Sequence, residues 1–185
     1  LLPVFIALLF VIAPGTVTNR VMSIFDVQDP TNQDRLAMVE IGARIIKDHP
    51  LTGVGPNMIP RVYAQYRPDY AVNAVNPHLH NVPLQIAAER GLPAFAVWIW
   101  FIGSLTAALA RLFRTHPSAA PGAWQDKVPA AAGLAAVAAM LAAGLFEYNF
   151  GDSEFLMLFL VLVTLPFAAA RGEPGPPRRT PAPWG

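Results

Sequence analysis

Three uncharged apolar runs fill the second half of the chain, at 92–110, 128–146 and 155–170. The first two approach the roughly 20 residues that carry a helix across a bilayer. Another apolar stretch, Leu1–Ala13, is shorter and starts at the first residue. It reads as a truncated transmembrane helix, since a signal peptide would carry a basic region ahead of its apolar core. Between it and the first full run lies a polar segment, 14–91, too long to be a tight connection and therefore structured in its own right. Inside it Leu36, Val39, Ala43 and Ile46 recur at helical spacing. Thr31-Asn32-Gln33-Asp34 fits a capping-box-like start for that helix, and His49-Pro50 stops it. Leu51-Thr52-Gly53-Val54-Gly55-Pro56 then reads as a tight turn between two short helices. A phosphate loop would have more glycines and a following Lys-Ser or Lys-Thr.

A further helix starts at Asn81, a favoured N-cap, with Pro83 in its first turn where a missing N–H costs nothing. On it Asn81, Gln85 and Glu89 fall four apart and share one face, a polar stripe aimed at something other than lipid. Gly91 and Pro93 predict a bend before the first spanning run. The expected fold is all-α: a multi-pass transmembrane helical bundle with a partly helical loop outside the membrane. Its segments are a truncated helix at 1–13, the loop at 14–91, spans at 92–110, 128–146 and 155–170, a connector at 111–127, a hairpin at 147–154 and a disordered tail at 171–185.

Composition agrees with a membrane protein: 54% of residues are hydrophobic and 14% charged, against about 25% charged in average globular chains. A net charge of +1 with no basic patch excludes a nucleic-acid partner. The absence of cysteine removes disulfides and thiolate metal sites. Orientation follows from the basic residues. Arg111, Arg114 and Lys127 lie in the connector and Arg171, Arg178 and Arg179 in the tail, whereas the hairpin carries only the acids Glu147, Asp152 and Glu154. The positive-inside rule puts connector and tail in the cytoplasm and the hairpin outside, and with it the 14–91 loop.

Candidate chemistry concentrates in that loop. His80 sits at a helix N-terminus, where the dipole favours a neutral imidazole and attracts phosphate. Arg35, at the start of an amphipathic helix, has the planar, permanently charged fork that suits phosphate, and Arg44 and Arg67 could substitute for it. Gln85 and Glu89 are placed to orient His80. Tyr63, Tyr66, Arg67 and Tyr70 predict an aromatic, basic surface suited to sugar stacking. His78 and His80 could share a face as a metal pair, but no third ligand follows at zinc-like spacing, and no metal is expected. The plainer readings are a helix cap for His80, ion pairs with Asp34 or Glu40 for Arg35, and solvation for Gln85 and Glu89. On those, the chain is a non-catalytic membrane module such as part of a transporter.

The pair His80-Asn81 followed by Gly91 resembles the histidine motif of the O-antigen ligase family, which also contains O-antigen polymerases and protein O-oligosaccharyltransferases. Arg35-Leu36-Ala37-Met38-Val39-Glu40, the stretch Ile46–Gly55 and Phe146–Glu154 resemble that family too, in the family's order. The resemblance implies a glycosyl transfer without metal or cofactor, at the periplasmic face of a bacterial inner membrane. The donor would be a glycan on undecaprenyl diphosphate. The acceptor hydroxyl would belong to lipid A core in a ligase, to a second lipid-linked glycan in a polymerase, or to a protein. By position, His80 would be the base that activates the acceptor and Arg35 would hold the diphosphate. Ala94 stands where the family pattern often has glycine. Such enzymes also have upstream transmembrane helices and a second phosphate-binding arginine there, so this chain is expected to be a C-terminal fragment, inactive alone.

Overall fold

Five α-helices and a single 3-10 turn make up the described part of the chain, with no strand among the described residues. The computed structural model describes residues 28–115 and 123–172, together with Gly15 and Asp26. The apolar run at 1–13, the tail from 173 onward and the middle of the connector lie outside the described residues. The helices are α1 (Pro30–Asp48), α2 (Ile59–Tyr66), α3 (Val82–Thr115), α4 (Ala123–Gly144) and α5 (Ser153–Gly172). Three of them hold stretches long and apolar enough to cross a membrane, Val82–Thr115, Lys127–Gly144 and Ser153–Ala170. The fold is the all-α helical bundle expected. The chain divides into two units, Leu1–Pro93 and Ala94–Gly185.

In the first unit, α1 starts two residues earlier than the capping-box pattern implied. Asp29 is the N-cap, its side chain accepting from Thr31 N at 2.8 Å, and Pro30 takes the first helical position. This frees Asp34 for a different task. The buried face of α1 is also rotated from the predicted stripe. Ala37, Met38, Ile41, Gly42 and Ile45 face inward, while Leu36 and Val39 are 61% and 50% exposed. Small residues decide this register. A Cβ on Gly42 would lie 2.5 Å from Leu84 Cγ, so α1 can approach the 82–90 helix only along its Ala-Gly side. Ile41, Ile45, Ile59, Tyr63, Leu79 and Ala88 close the core. Tyr63 and Tyr66 therefore belong to the interior, and of the predicted aromatic, basic surface only Arg67 and Tyr70 are exposed.

The glycine-rich turn fits between α1 and α2 as expected and is docked onto the end of the 82–90 helix. Val54 N donates to Ala88 O at 3.0 Å and Gly55 N to Glu89 O at 2.9 Å, which satisfies carbonyls that a helix end leaves orphaned. Leu92 N donates back to Pro50 O at 2.7 Å. With Gly53 N given to His49 O at 3.0 Å, these amides are committed and do not form a phosphate cradle. Two glycines make the approach possible. Gly91, at φ 81° and ψ 169°, breaks α3 into segments 82–90 and 92–115. A Cβ there would sit 2.2 Å from Leu51 O, and one on Gly53, at φ +62°, would sit 2.3 Å from the Glu89 carbonyl carbon.

In the second unit, Ile102 and Leu109 of α3 pack with Val137 and Met140 of α4 and Phe159 and Val163 of α5. A Cβ on Gly133 would approach Leu109 Cδ2 to 2.9 Å and Pro166 Cγ to 3.3 Å, so the small residue sits where the three helices converge. Their outward faces are apolar, with Val97, Trp100, Leu158 and Val161 exposed, as a lipid-facing surface requires. Between α4 and α5, Asn149–Gly151 form the 3-10 turn, and Asp152 caps α5 through Glu154 N at 2.9 Å. Trp98 meets Phe150 edge to face at 6.1 Å.

Gly53→Ala combines a backbone clash with a left-handed strain of about 1–3 kcal/mol. It should lower the thermal melting of the detergent-solubilised protein well below that of Gly103→Ala, whose new methyl meets nothing within 4 Å. Size-exclusion profiles after a heating series measure the difference.

Candidate functional site

The backbone from 67 to 81 forms no regular element, so side chains must take up its polar groups. Asp34, buried on α1, takes up one of them and two side-chain amides besides. Its Oδ1 accepts from Asn73 N at 3.1 Å, and its Oδ2 accepts from Asn73 Nδ2 at 2.7 Å and Asn76 Nδ2 at 3.0 Å. Asn76 Nδ2 also donates to the Tyr63 hydroxyl at 2.9 Å. Arg67 Nη2 holds Ala71 O at 2.9 Å. Asp34, Asn73, Asn76 and Tyr63 were not among the predicted site residues. The signal for them is one acid in a helix and two amides three positions apart in an irregular loop, which says nothing until the two are brought together.

Burial pushes the Tyr63 phenol upward, the Asn76 hydrogen bond pulls it back, the Asp34 charge raises it further and Arg67 lowers it. A second cluster joins Tyr70 to α1. Its hydroxyl donates to Glu40 Oε2 at 2.5 Å, and Arg44 Nη2 reaches Glu40 Oε1 at 2.5 Å. The Tyr70 hydrogen bond, helped by Arg44, holds the Glu40 carboxyl below its ordinary value despite some desolvation. Arg44 Nη1 also donates to Tyr66 O at 3.3 Å, at the end of α2.

The histidine segment follows directly from this anchored loop. Leu79 points into the core, which leaves His78 and His80 half-buried on either side of it, their rings edge to face at 4.2 Å. Leu79 N donates to Gln85 Oε1 at 2.7 Å. Gln85 is only 1% exposed, so this bond is sheltered from water. His80 takes φ 46°, a left-handed conformation that is uncommon outside glycine. Asn81 then caps α3 as expected, its Oδ1 accepting from Leu84 N at 2.9 Å and its carbonyl from Gln85 N at 2.9 Å.

Glu89 completes the stripe, with its side chain fully enclosed and Oε2 accepting from Arg90 Nη1 at 3.2 Å. Its carboxylate lies near the Gln85 side chain and the backbone of Asn57 and Ile59 at the start of α2. The polar stripe Asn81, Gln85, Glu89 thus faces the interior of the first unit rather than solvent. Of the three, Asn81 follows His80 directly, Gln85 holds the Leu79 amide before it, and Glu89 lies two turns along the helix from Asn81, near the start of α2. Arg44 and Arg67 each hold a backbone carbonyl, while Arg35 lies on the exposed side of α1 next to Asp34, the anchor of the loop that leads to His80.

Two outcomes test this anchoring. Asp34→Ala removes the acceptor shared by three donors and should cost about 1–3 kcal/mol, read as faster limited proteolysis between 67 and 81. The Tyr63 phenol, raised in the folded state, adds stability that is complete below its ordinary value of 10.0 and lost as pH climbs through the raised value. Protease resistance of the loop should therefore fall on the alkaline side of pH 10, and Tyr63→Phe should flatten that fall.

Among known proteins, the family described as O-Antigen ligase matches residues 1–99. No curated protein matches the sequence significantly. The matched region takes in the anchored loop, the histidine segment, the Gly53–Gly91 seam and the opening of the first span. It covers more than half of the 185 residues, and the chain belongs to the O-antigen ligase family of membrane proteins.

Proposed function

We propose that this chain carries the periplasmic loop and the following spans of a glycosyltransferase that moves a glycan from undecaprenyl diphosphate to an acceptor hydroxyl, with His80 as the base. One observation supports the choice of His80 above the others. Its backbone is held in a left-handed conformation at a helix N-terminus, with the preceding amide fixed from inside the core by Gln85. Such strain persists only where surrounding structure enforces it, and it concentrates at functional sites. A ring held this way presents a nitrogen to a substrate without first losing conformational freedom.

In the proposed step, the acceptor hydroxyl gives its proton to the His80 imidazole as its oxygen bonds to the anomeric carbon of the donor glycan. The bond from that carbon to the diphosphate oxygen breaks, and undecaprenyl diphosphate leaves with the electron pair. Arg35 is the first candidate to hold the departing charge, because it follows Asp34, which ties α1 to the histidine loop. Arg67 and Arg44 are further candidates, though their hydrogen bonds to Ala71 O and Tyr66 O suit them equally to fixing the loop. No metal or cofactor enters this step. A positioned base contributes roughly a hundred- to ten-thousandfold, and a fixed cation roughly a hundred- to a thousandfold, by analogy with an oxyanion donor.

Membership of the O-antigen ligase family favours this enzymatic reading over a transporter module. A ligase would use lipid A core as acceptor, a polymerase a second lipid-linked glycan, and an oligosaccharyltransferase a protein hydroxyl. The Arg and Lys residues of the 111–127 connector support placing the 14–91 loop on the far side of the membrane from the cytoplasm. Family membership supports the bacterial inner membrane as that membrane, which makes the loop periplasmic.

Complementation with the full-length gene tests the proposal. The unmutated gene should restore O-antigen display in a strain lacking its ligase, or glycan chain length in one lacking its polymerase. His80→Ala, at equal membrane abundance, should restore neither, and Arg35→Ala should reduce product by at least the hundredfold above. Full rescue by His80→Ala would remove this residue from the chemistry.

A further inference from the structure

Among the exposed apolar side chains of the first unit, Leu51 stands out by position. It is 72% exposed at the tip of the 50–56 turn, where a soluble loop would carry a polar residue. The turn cannot swing away from the helix it docks on. Pro50 O accepts from Leu92 N at 2.7 Å, and the Leu51 carbonyl lies where a Cβ on Gly91 would be. Leu92 is itself 43% exposed and is the first residue of the uncharged run that crosses the membrane.

Leu51 is therefore fixed beside Leu92, the residue that opens the uncharged run. The flanking charges agree with this level. Lys47 and His49 are exposed on the approach to the tip and Arg90 on the other side of the seam, positions from which basic side chains reach headgroups. The acid among them, Asp48, is engaged with the Tyr66 hydroxyl.

We infer that the Pro50–Thr52 tip is a membrane hook, with Leu51 inserted among the acyl chains of the bilayer lipids beside Leu92. The hook would fix the height of the loop, and of the Gly53–Gly91 seam behind it, relative to the membrane surface. The inference rests on the 92–110 run entering the bilayer at Leu92 and is independent of the proposed glycosyl transfer.

These 185 residues contain no cysteine, and any cysteine elsewhere in the full-length protein is first replaced by serine, so that single cysteines can be labelled cleanly. Leu51→Cys, with Trp100→Cys as the lipid-facing reference and Asp69→Cys as the aqueous one, would carry a bimane fluorophore. The full-length protein is reconstituted in vesicles of phosphatidylethanolamine and phosphatidylglycerol. Emission at position 51 should be quenched by brominated acyl chains to the extent seen at 100, and should resist aqueous iodide. Iodide quenching equal to that at 69 would overturn the hook. So would protection from both quenchers, which would mean that protein rather than lipid covers the tip.

Discussion

A single side-chain amide, Gln85, holds the backbone of the histidine segment from inside the core. Its Oε1 accepts from Leu79 N, the amide of the one residue between His78 and His80, in a site closed to water. A hydrogen bond removed from solvent in this way is costly to lose, because the buried partners would find no replacement. It therefore offsets a backbone conformation at His80 that would otherwise cost on the order of 1–3 kcal/mol. Leu79 reinforces it by filling the core from the same residue. Glu89, one helical turn further on, lies near the Gln85 side chain and links its surroundings to the start of α2. A strained residue thus has a support two layers deep.

The seam between the glycine turn and the end of the 82–90 helix extends this support to the membrane boundary. Three backbone hydrogen bonds cross it, and two glycines allow the chains to meet without side chains between them. The same bonds close the helix end and commit the turn's amides. On the opposite side, Asp34 gathers Asn73 and Asn76 so that the irregular stretch leading to His80 is tied to α1. Arg35 follows in sequence. A loop whose every approach is fastened in this way suits chemistry that needs a base and a cation at set positions, which is the role proposed for it.

Much of this was legible in the sequence where the cause is local. The Asn81 cap, the break at Gly91, the stop at His49-Pro50 and the apolar runs each depend on neighbouring residues. What stayed hidden depends on distant ones. Asp34 reads as an ordinary first-turn acid until Asn73 and Asn76, some forty positions later, are folded onto it. The buried face of α1 was misjudged because Leu36 and Val39 outrank Ala37 and Gly42 in hydrophobicity, while close packing against Leu84 selects for small size. Tyr63 and Tyr66 pointed to a sugar-stacking surface because their phenols are polar, yet the hydroxyl of Tyr63 finds its partner indoors in Asn76. Gln85 and Glu89 were correctly set on one face, but only the packed unit reveals that the face is interior.

Amide hydrogen exchange at Leu79 tests the central support most directly. In the unmutated protein this amide should exchange as slowly as those in the middle of α1, although it lies in an irregular loop. Gln85→Leu should bring it to the fast rate of an exposed loop while the α1 amides stay protected. Rapid exchange at Leu79 in the unmutated protein, or unchanged protection in Gln85→Leu, would contradict the account.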